Sequence, residues 1–292
     1  MTEGSPELSP SAHASAAERP SSAELPTSAA RLPGAHRPVA LVTGPTSGIG
    51  KAYATRLAAL GYDLVLVARD ERRLAALAHD CEVRFGARAQ VLPADLAVAA
   101  DRDRVAARLA EGVEFLVNNA GFGLSGEFWE ATPDVLRSQL EVNVGAVVEL
   151  TRAAVPPMLH AANGTVVNVA SMAGLIPARG STYSASKAYV VSFSQGLASG
   201  LAGTGVRVQA LCPGLVHTEF HERAGLATDS FPRPLWLDVD QVVACSLADL
   251  EKNRVLSVPG MQYKAIAAVA GLIPRSLVTR LNRAFFNARG RT

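Results

Sequence analysis

Residues 39–50, VALVTGPTSGIG, place a short apolar run directly before a glycine-rich turn. The run 39–43 predicts a buried strand, and the amphipathic stretch from residue 48 predicts a helix. Glycines in such a turn let the backbone approach a pyrophosphate, which a helix N-terminus binds through its free N–H groups. The segment therefore predicts a phosphate cradle at the carboxyl end of a parallel strand.

Beyond this turn, short apolar runs alternate with longer amphipathic runs, the pattern of βαβ units. Pro156 and Pro157 are expected to kink or end the fourth helix, because neither can donate an i→i−4 bond. We predict a single α/β domain with a doubly wound, Rossmann-like parallel sheet of about seven strands and helices on both faces. The predicted strands are 39–43, 63–68, 88–92, 113–118, 164–170, 205–211 and 254–258. The predicted helices are 48–60, 70–85, 98–110, 132–160, 181–202 and 238–251.

The chain has 292 residues and a net charge of +2, which suits one large α/β domain. Residues 1–35 include 20 Ser, Pro or Ala and no signal-peptide core, so we expect a disordered tail. The main α/β domain is predicted to span 36–260. Residues 261–292, with six bases and no acid, form a basic amphipathic extension. Neither a basic stripe nor interleaved aromatics accompany the domain, which argues against a nucleic-acid partner.

Metal and disulfide chemistry are not expected. Cys81, Cys212 and Cys245 are odd in number and widely separated, which favours a reducing cytoplasm. His217 and His221 flank a carboxylate, but their order differs from that of the metalloprotease motif, and they lie in a predicted loop. We therefore predict no metal site.

Ser171, Tyr183 and Lys187 are the most informative polar residues. Tyr183 and Lys187 lie four apart on a predicted helix, so the ammonium can lie beside the phenol and favour its ionised form. Ser171 follows a predicted strand, so its hydroxyl should emerge at the carboxyl end of the sheet. A helix pair alone is commonly incidental. Together with the glycine turn, the three residues predict a proton-delivery site.

The end of the second predicted strand bears on the choice of dinucleotide. A site for NAD usually has an acid about 20 residues after the glycine motif, which binds the ribose 2′-hydroxyl. Here Ala68 is followed by Arg69, whose guanidinium suits a 2′-phosphate. The residues favour NADP(H). The alternative is that Arg69 is a solvated residue in an ordinary charged helix turn.

With these motifs in the correct order, the chain resembles the short-chain dehydrogenase/reductase family in its non-extended, NADP-preferring branch, over about residues 38–258. Asn118-Asn119-Ala120-Gly121 resembles a family element that lines the cofactor. The resemblance implies that Asn143, Ser171, Tyr183 and Lys187 are catalytic. It implies cofactor contacts from Gly44, Thr46, Ser47, Gly48, Ile49, Gly50, Arg69, Asp95, Asn119, Ala120, Gly121, Tyr183, Lys187, Pro213, Gly214, Val216 and Thr218.

The resemblance further implies an enzyme that transfers hydride between NADP(H) and a carbonyl or secondary alcohol. Ser171 would hold the carbonyl oxygen, Tyr183 would act as general acid/base, and Lys187 would bind the nicotinamide ribose and lower the pKa of Tyr183. Asn143 would hold a water beside the lysine. It also implies a homodimer or homotetramer paired through the fourth and fifth helices. The alternative is a non-catalytic NADP(H)-binding sensor or scaffold, which would not need an activated phenol.

Two loops are expected to form the substrate pocket. The first is 214–236, with Phe220, Phe231, Leu235 and Trp236, and it is expected to act as a lid or as a surface loop packed on the core. The second follows Gly121 and contains Phe122, Leu124 and Phe128. Their apolar content favours a hydrophobic ketone.

The basic extension has two interpretations. Ile266, Val269 and Ala270, then Leu277, Val278, Leu281 and Phe285, recur near helical spacing with a break at Pro274. A basic amphipathic helix can lie on an anionic membrane surface. The alternative is a terminal helix docked on its own domain or on a second subunit. The apolar run 265–273 is too short to span a bilayer, which needs about 20 residues.

Overall fold

A computed structural model describes Met1 and residues 37–124, 126–176, 182–220 and 232–272. The predicted tail, apart from Met1, lies outside these ranges, as do Phe231, His221 and the part of the basic extension after residue 272. No helix of the described part is long and apolar enough to cross a membrane.

Seven parallel strands form the central sheet, and each predicted strand is confirmed within two residues. Their bounds are β1 Val39–Thr43, β2 Asp63–Ala68, β3 Ala89–Pro93, β4 Phe115–Asn118, β5 Gly164–Val169, β6 Val206–Leu211 and β9 Leu256–Ser257. A separate parallel pair consists of β7 Leu215–Val216 and β8 Trp236–Leu237. The order in the large sheet is β3-β2-β1-β4-β5-β6-β9. Neighbours β1 and β4 mark the point where the strand order reverses, which is where ligands bind in such sheets.

The helices connect the strands as crossovers. Their bounds are α1 Gly48–Ala59, α2 Glu71–Phe85, α3 Ala99–Ala110, α4 Pro133–Leu140, α5 Ala146–His160, α6 Thr182–Gly200, α7 Val239–Glu251 and α8 Met261–Leu272. Two apolar clusters, one on each face of the sheet, bury the strand side chains; Leu66 and Val117 belong to the first, and Leu41 and Val166 to the second. Burial on both faces explains why the strands read as continuous apolar runs.

The predicted fourth helix, 132–160, is not one continuous α-helix. A π-helical turn, Glu141–Gly145, separates α4 from α5 and carries Asn143 at its centre. Such turns are rare and occur frequently at functional sites. Of the two expected effects of Pro156 and Pro157, the end of the helix does not occur, because α5 continues through both to His160. The break lies instead at the π-turn, which sequence periodicity does not reveal.

The last described helix, α8, packs on the domain. Tyr263 is buried in the first apolar cluster. Its hydroxyl accepts a hydrogen bond from Leu215 N (2.9 Å) and donates one to the Leu235 carbonyl (2.7 Å). One side chain therefore links α8 to β7 and to the residue just before β8. The start of the predicted extension is thus tied to the loops beside the sheet.

Candidate active site

The glycine-rich turn is held in place by Asn119, which lies at the end of the neighbouring strand. Asn119 Nδ2 donates to the carbonyls of Thr43 (2.9 Å) and Gly44 (3.0 Å). The Thr43 hydroxyl in turn accepts from the N–H groups of Asn119 (2.9 Å) and Ala120 (3.0 Å). These four bonds join β1 to β4 at the reversal point, so the turn is fixed before any ligand arrives.

Gly50 fits only because it has no side chain. A Cβ there would lie 2.4 Å from both Asn119 Nδ2 and the Gly44 carbonyl oxygen, well inside van der Waals contact. Gly44 has a φ of +64°, a conformation that favours glycine. The crowded, side-chain-free turn leads into the first N–H groups of α1. The residues present therefore fit a pyrophosphate, as the sequence predicts.

Two arginines, Arg69 and Arg73, also belong to the lining of the cavity. The Arg69 side chain is 78% exposed, and its Nη1 lies 4.0 Å from Asp95 Oδ2, so the ion pair is loose. Arg73, on α2, binds Asp70 and also Glu219 (3.1 Å), which belongs to the segment after β7. Arg73 is a cavity residue that the sequence motifs do not single out.

The predicted catalytic group comes together at the carboxyl ends of β5 and β6. A side-chain hydrogen bond joins Tyr183 to Ser171, whose Oγ also accepts from Ala173 N (3.1 Å). Lys187 lies below the phenol, with its Nζ 5.7 Å from the centre of the Tyr183 ring. That ammonium donates to the Val169 carbonyl (2.7 Å). The cluster is therefore preorganised by bonds within the chain.

Burial sets the protonation of this pair. Burial raises the pKa of Tyr183 to about 12, against a lowering by the hydrogen bond from Ser171. Burial lowers the pKa of Lys187 to about 8. Lys187 was expected to lower the pKa of Tyr183. In the protein alone the pKa is raised, because desolvation of the phenol outweighs all other effects. With these pKa values, the phenol of Tyr183 stays protonated at neutral pH, and the ammonium of Lys187 titrates near pH 8.

Asn143 lies behind the cavity rather than in its wall, since it is fully buried. Its Oδ1 accepts from Phe122 N (3.0 Å), and its Nδ2 donates to the Phe122 carbonyl (3.0 Å) and to Ser186 Oγ (3.2 Å). Both amide hydrogens are used, which leaves one lone pair on Oδ1. Asn143 Oδ1 and Lys187 Nζ lie 3.0 and 3.3 Å from the position a Gly121 Cβ would take. Because Gly121 has no side chain, both the Asn143 oxygen and the Lys187 ammonium can lie close to it.

One cavity of about 1210 Å³ connects these features. Except for Gly50 and Asn143, which lie behind its surface, every predicted catalytic or cofactor-binding residue lines it. This includes Pro213, Gly214, Val216 and Thr218 after β6, which the resemblance implies as cofactor contacts. The volume exceeds that of most drug-sized ligand sites and suits a dinucleotide with a second ligand.

The apolar wall differs in part from the prediction. Phe122 and Phe220 line the cavity, and the Phe220 ring lies 5.5 Å from that of Tyr183. Leu235 and Trp236 do not line it. Trp236 stacks on His217 instead, with centroids 4.6 Å apart. Leu124 and Phe128 are also outside the lining, and Phe128 is exposed. Phe231 lies outside the described residues.

Tyr263 is a cavity residue that the sequence did not indicate. Its ring covers Gly214 so closely that a Cβ at residue 214 would lie 1.9 Å from the ring. The only signal in the sequence is a tyrosine within the extension, about 50 residues after Gly214. Contacts of this range depend on how α8 packs, which periodicity does not give.

Comparison with known proteins places this geometry in a family. The model of the short chain dehydrogenase family matches residues 38–228. The very-long-chain 3-oxoacyl-CoA reductase of Anas platyrhynchos is 36% identical over 67% of this chain and 64% of its own length, so the chain spans less than two thirds of that relative. The sulfoacetaldehyde reductase of Chromohalobacter salexigens is 40% identical over 61% of this chain and 72% of its own.

Two solved structures share the fold. A short-chain dehydrogenase from Sphingobium yanoikuyae in complex with NADPH is 36% identical, with a TM-score of 0.74 over 80% of this chain and 94% of that one. A short chain dehydrogenase/reductase from Burkholderia phymatum in complex with NAD is 30% identical, with a TM-score of 0.70 over 80% and 92%. The matched model, the relatives and the arrangement of the cavity agree, and the chain belongs to the short-chain dehydrogenase/reductase family.

Proposed function

We propose that this protein is an NADP(H)-dependent oxidoreductase that interconverts a hydrophobic ketone and its secondary alcohol. The observation that carries the proposal is the convergence of Ser171, Tyr183 and Lys187 on the same cavity wall that continues to the glycine-rich turn. A sensor or scaffold would need the turn but not a serine bonded to a buried phenol above a lysine.

In this proposal the side chains of the protein donate the proton and then replace it. When bound, the nicotinamide would supply the hydride to the carbonyl carbon. Ser171 and Tyr183 are placed to donate hydrogen bonds to the carbonyl oxygen, and Tyr183 gives up its proton as that oxygen becomes a hydroxyl. The high pKa of the phenol keeps it protonated until the oxygen becomes basic. Lys187, with a pKa lowered to about 8 by burial, is suited to resupply the proton near neutral pH.

A water between Asn143 Oδ1 and Lys187 Nζ would complete the path to solvent. Both atoms lie beside Gly121, and Oδ1 keeps a free lone pair there. The two amide hydrogens of Asn143 are used to fix its orientation. Asn143 is therefore proposed to hold the water with its oxygen, while Phe122 and Ser186 hold Asn143.

The preference for NADP(H) is supported by Arg69 at the rim of the cavity. Its guanidinium is exposed and only loosely paired with Asp95, so it can turn to a 2′-phosphate at little cost. Arg73 adds a second positive charge nearby. Similar solved structures are complexes with either NADPH or NAD. The preference for NADP(H) is therefore proposed from Arg69 and Arg73 and not from these comparisons.

The proposed substrate class rests on the wall opposite the glycine turn. Phe122, Met172, Leu215 and Phe220 line the cavity near Tyr183. Such a wall favours an apolar group beside the carbonyl. The Anas relative is named for a very-long-chain 3-oxoacyl-CoA and the Chromohalobacter relative for the small, anionic sulfoacetaldehyde. The apolar wall favours the first kind of substrate.

A ketone series tests this proposal. Oxidation of NADPH and NADH would be followed with methyl ketones of increasing chain length and with sulfoacetaldehyde, using the wild-type chain and Tyr183→Phe. We expect turnover with NADPH that improves with apolar length and is lost in the variant. Turnover with sulfoacetaldehyde alone would refute the substrate class. Tight NADPH binding without turnover on any carbonyl would favour the sensor.

Two further proposals concern partners. The chain is proposed to pair with a second copy through α4, α5 and α6, supported by the exposed apolar side chains of Leu140, Leu159 and Tyr189. Sedimentation of Leu140→Asp beside the wild type tests this pairing. A wild-type chain that sediments as a monomer would refute it.

Peripheral membrane contact is proposed for α8, because Met261, Ile266 and Val269 are exposed and 261–292 carries six bases and no acid. The three residues changed together to glutamate should abolish flotation with anionic vesicles. A change at the surface is preferable to removal of α8, since Tyr263 belongs to the core. Equal flotation of both proteins would refute the membrane contact.

A further inference from the structure

Arg102, on α3, is a buried cation outside the predicted site. Only 7% of its side chain is exposed. Its Nε donates to Glu149 Oε2 (2.7 Å), its Nη2 lies 2.9 Å from Glu141 Oε2, and its Nη1 donates to the Leu96 carbonyl (3.0 Å). The guanidinium thus joins three different segments. A planar fork with several fixed donors is the side chain suited to this task.

Two of those segments belong to the candidate site. Leu96 follows Asp95 in the cavity wall on the adenine side. Glu141 is the first residue of the π-turn, and Asn143 follows two residues later. The third partner, Glu149, lies on α5 beyond the turn. Arg102 therefore lies between the adenine-side wall and the turn that orients the Asn143 amide.

Gly145 allows the contact with Glu141. A Cβ at residue 145 would lie 2.9 Å from Glu141 Oε2, so the carboxylate folds over a residue without a side chain. Gly145 has φ −54° and ψ −56°, which any residue adopts in a helix. Its backbone gives no reason for glycine. The reason for glycine is the position of the Glu141 carboxylate, which leaves no room for a Cβ at residue 145.

A π-turn needs such an anchor because its wider hydrogen-bonded ring is less favourable than the α-helix on either side. The ion pair of Glu141 with Arg102 fixes the first residue of the segment 141–145, which carries Asn143. We propose that Arg102 is a positioning residue whose ion pair with Glu141 holds the π-turn, and thereby Asn143, in the geometry of the proton path. The role in turnover rests on the proposed function above.

Glu149 offers a matched control. Glu141→Ala and Glu149→Ala each remove one carboxylate partner of the same guanidinium, and both side chains are about equally exposed, at 37% and 46%. Only Glu141 belongs to the π-turn. We expect Glu141→Ala to lower kcat about tenfold with an unchanged KM for NADPH and a larger solvent isotope effect, because proton resupply becomes slower. Glu149→Ala should keep kcat within twofold.

Gly145→Ala tests the same contact from the other side. Alanine normally stabilises a helix relative to glycine. Here its methyl group would displace the Glu141 carboxylate, so kcat should fall although the melting temperature is kept or raised. A merely structural role of Arg102 predicts the opposite combination, with kcat retained wherever the fold is retained.

Hydrogen–deuterium exchange separates this inference from the proposed function. The peptide that covers 141–145 should exchange faster in Glu141→Ala and Gly145→Ala than in Glu149→Ala, whether or not the enzyme turns over. Equal exchange in all three variants would overturn the anchoring role of Arg102. Faster exchange with unchanged kcat would overturn the link to Asn143. A wild-type chain without turnover would refute the proposed function alone, while the exchange result would stand.

Discussion

The proposed cofactor half of the cavity, around the glycine-rich turn, and the proposed substrate half, around the apolar wall, are built in different ways. Around the glycine-rich turn, four hydrogen bonds between Thr43, Gly44, Asn119 and Ala120 lock the strand ends together. Around the apolar wall, the Tyr263 hydroxyl of α8 bonds Leu215 in β7 and Leu235 just before β8. The first half is fixed by neighbouring strands of the sheet. The second depends on a contact between residues about 50 apart in sequence.

The difference separates what recognises the cofactor from what selects the substrate. A rigid, side-chain-free turn can be kept for every substrate, since the pyrophosphate does not change. A wall held by few contacts can be reshaped without damage to the sheet. We therefore expect changes that open the glycine-rich turn to remove activity altogether and changes in the second half to alter which ketone is accepted.

The largest effect is expected at Gly50. Replacement by alanine would bring a methyl carbon to 2.4 Å from the Gly44 carbonyl oxygen, so the turn must open. We predict a loss of NADPH affinity of more than about 100-fold, measured by fluorescence titration. Gly196→Ala is the control, because nothing lies within 4 Å of a Cβ there, and it should bind NADPH normally. Normal binding by Gly50→Ala would show that the turn is not rigid.

Lys187 lies where the two halves meet, and its burial makes a prediction about pH and stability. Burial lowers its pKa from 10.5 to about 8, so between these values the unfolded chain holds more protons than the folded chain. The stability of the wild type should therefore rise from pH 8 toward pH 10.5 relative to Lys187→Met, by about 1–3 kcal/mol. Urea unfolding at several pH values measures this gap. Parallel stability curves would contradict the burial of a titrating lysine.

Arg69 tests the adenine end of the cofactor half. Its removal in Arg69→Ala should weaken NADPH about tenfold and leave NADH unchanged, because only NADPH carries the 2′-phosphate. Arg72→Ala is the matched control, since Arg72 lies three residues after Arg69 on the first turn of α2, is exposed and does not line the cavity. Equal weakening of both cofactors would mean that Arg69 supports the fold rather than the phosphate.

The smallest predicted effect concerns Tyr263, which tests the substrate half. Tyr263→Phe keeps the ring over Gly214 and removes the hydroxyl that links Leu215 to Leu235. Each lost bond costs about 1 kcal/mol, so we expect the KM for the ketone to rise severalfold while NADPH affinity is kept. Tyr189→Phe, on the exposed face of α6, serves as the control. A rise in the KM for NADPH instead would place Tyr263 in the cofactor half.

The sequence predicts the cofactor half well for a physical reason. A strand, a tight glycine turn and a helix start are local features, and the ends of parallel strands meet at a known edge. Gly50 and Asn119 could be identified from motif and position. The π-turn at 141–145 and the contact between Tyr263 and Gly214 could not, because both arise from tertiary packing. The rise in the pKa of Tyr183 could not be predicted either, since burial depth is invisible in sequence.

The most direct test of the central claim compares two quantities in Tyr183→Phe. The variant keeps the ring and loses only the hydroxyl that bonds Ser171. NADPH affinity would be measured by fluorescence, and turnover with a hydrophobic methyl ketone by loss of nicotinamide absorbance, beside the wild type. The proposed mechanism predicts an affinity within about threefold of the wild type and turnover lowered by at least about 100-fold. Turnover close to that of the wild type would contradict the assignment of Tyr183 as the proton donor.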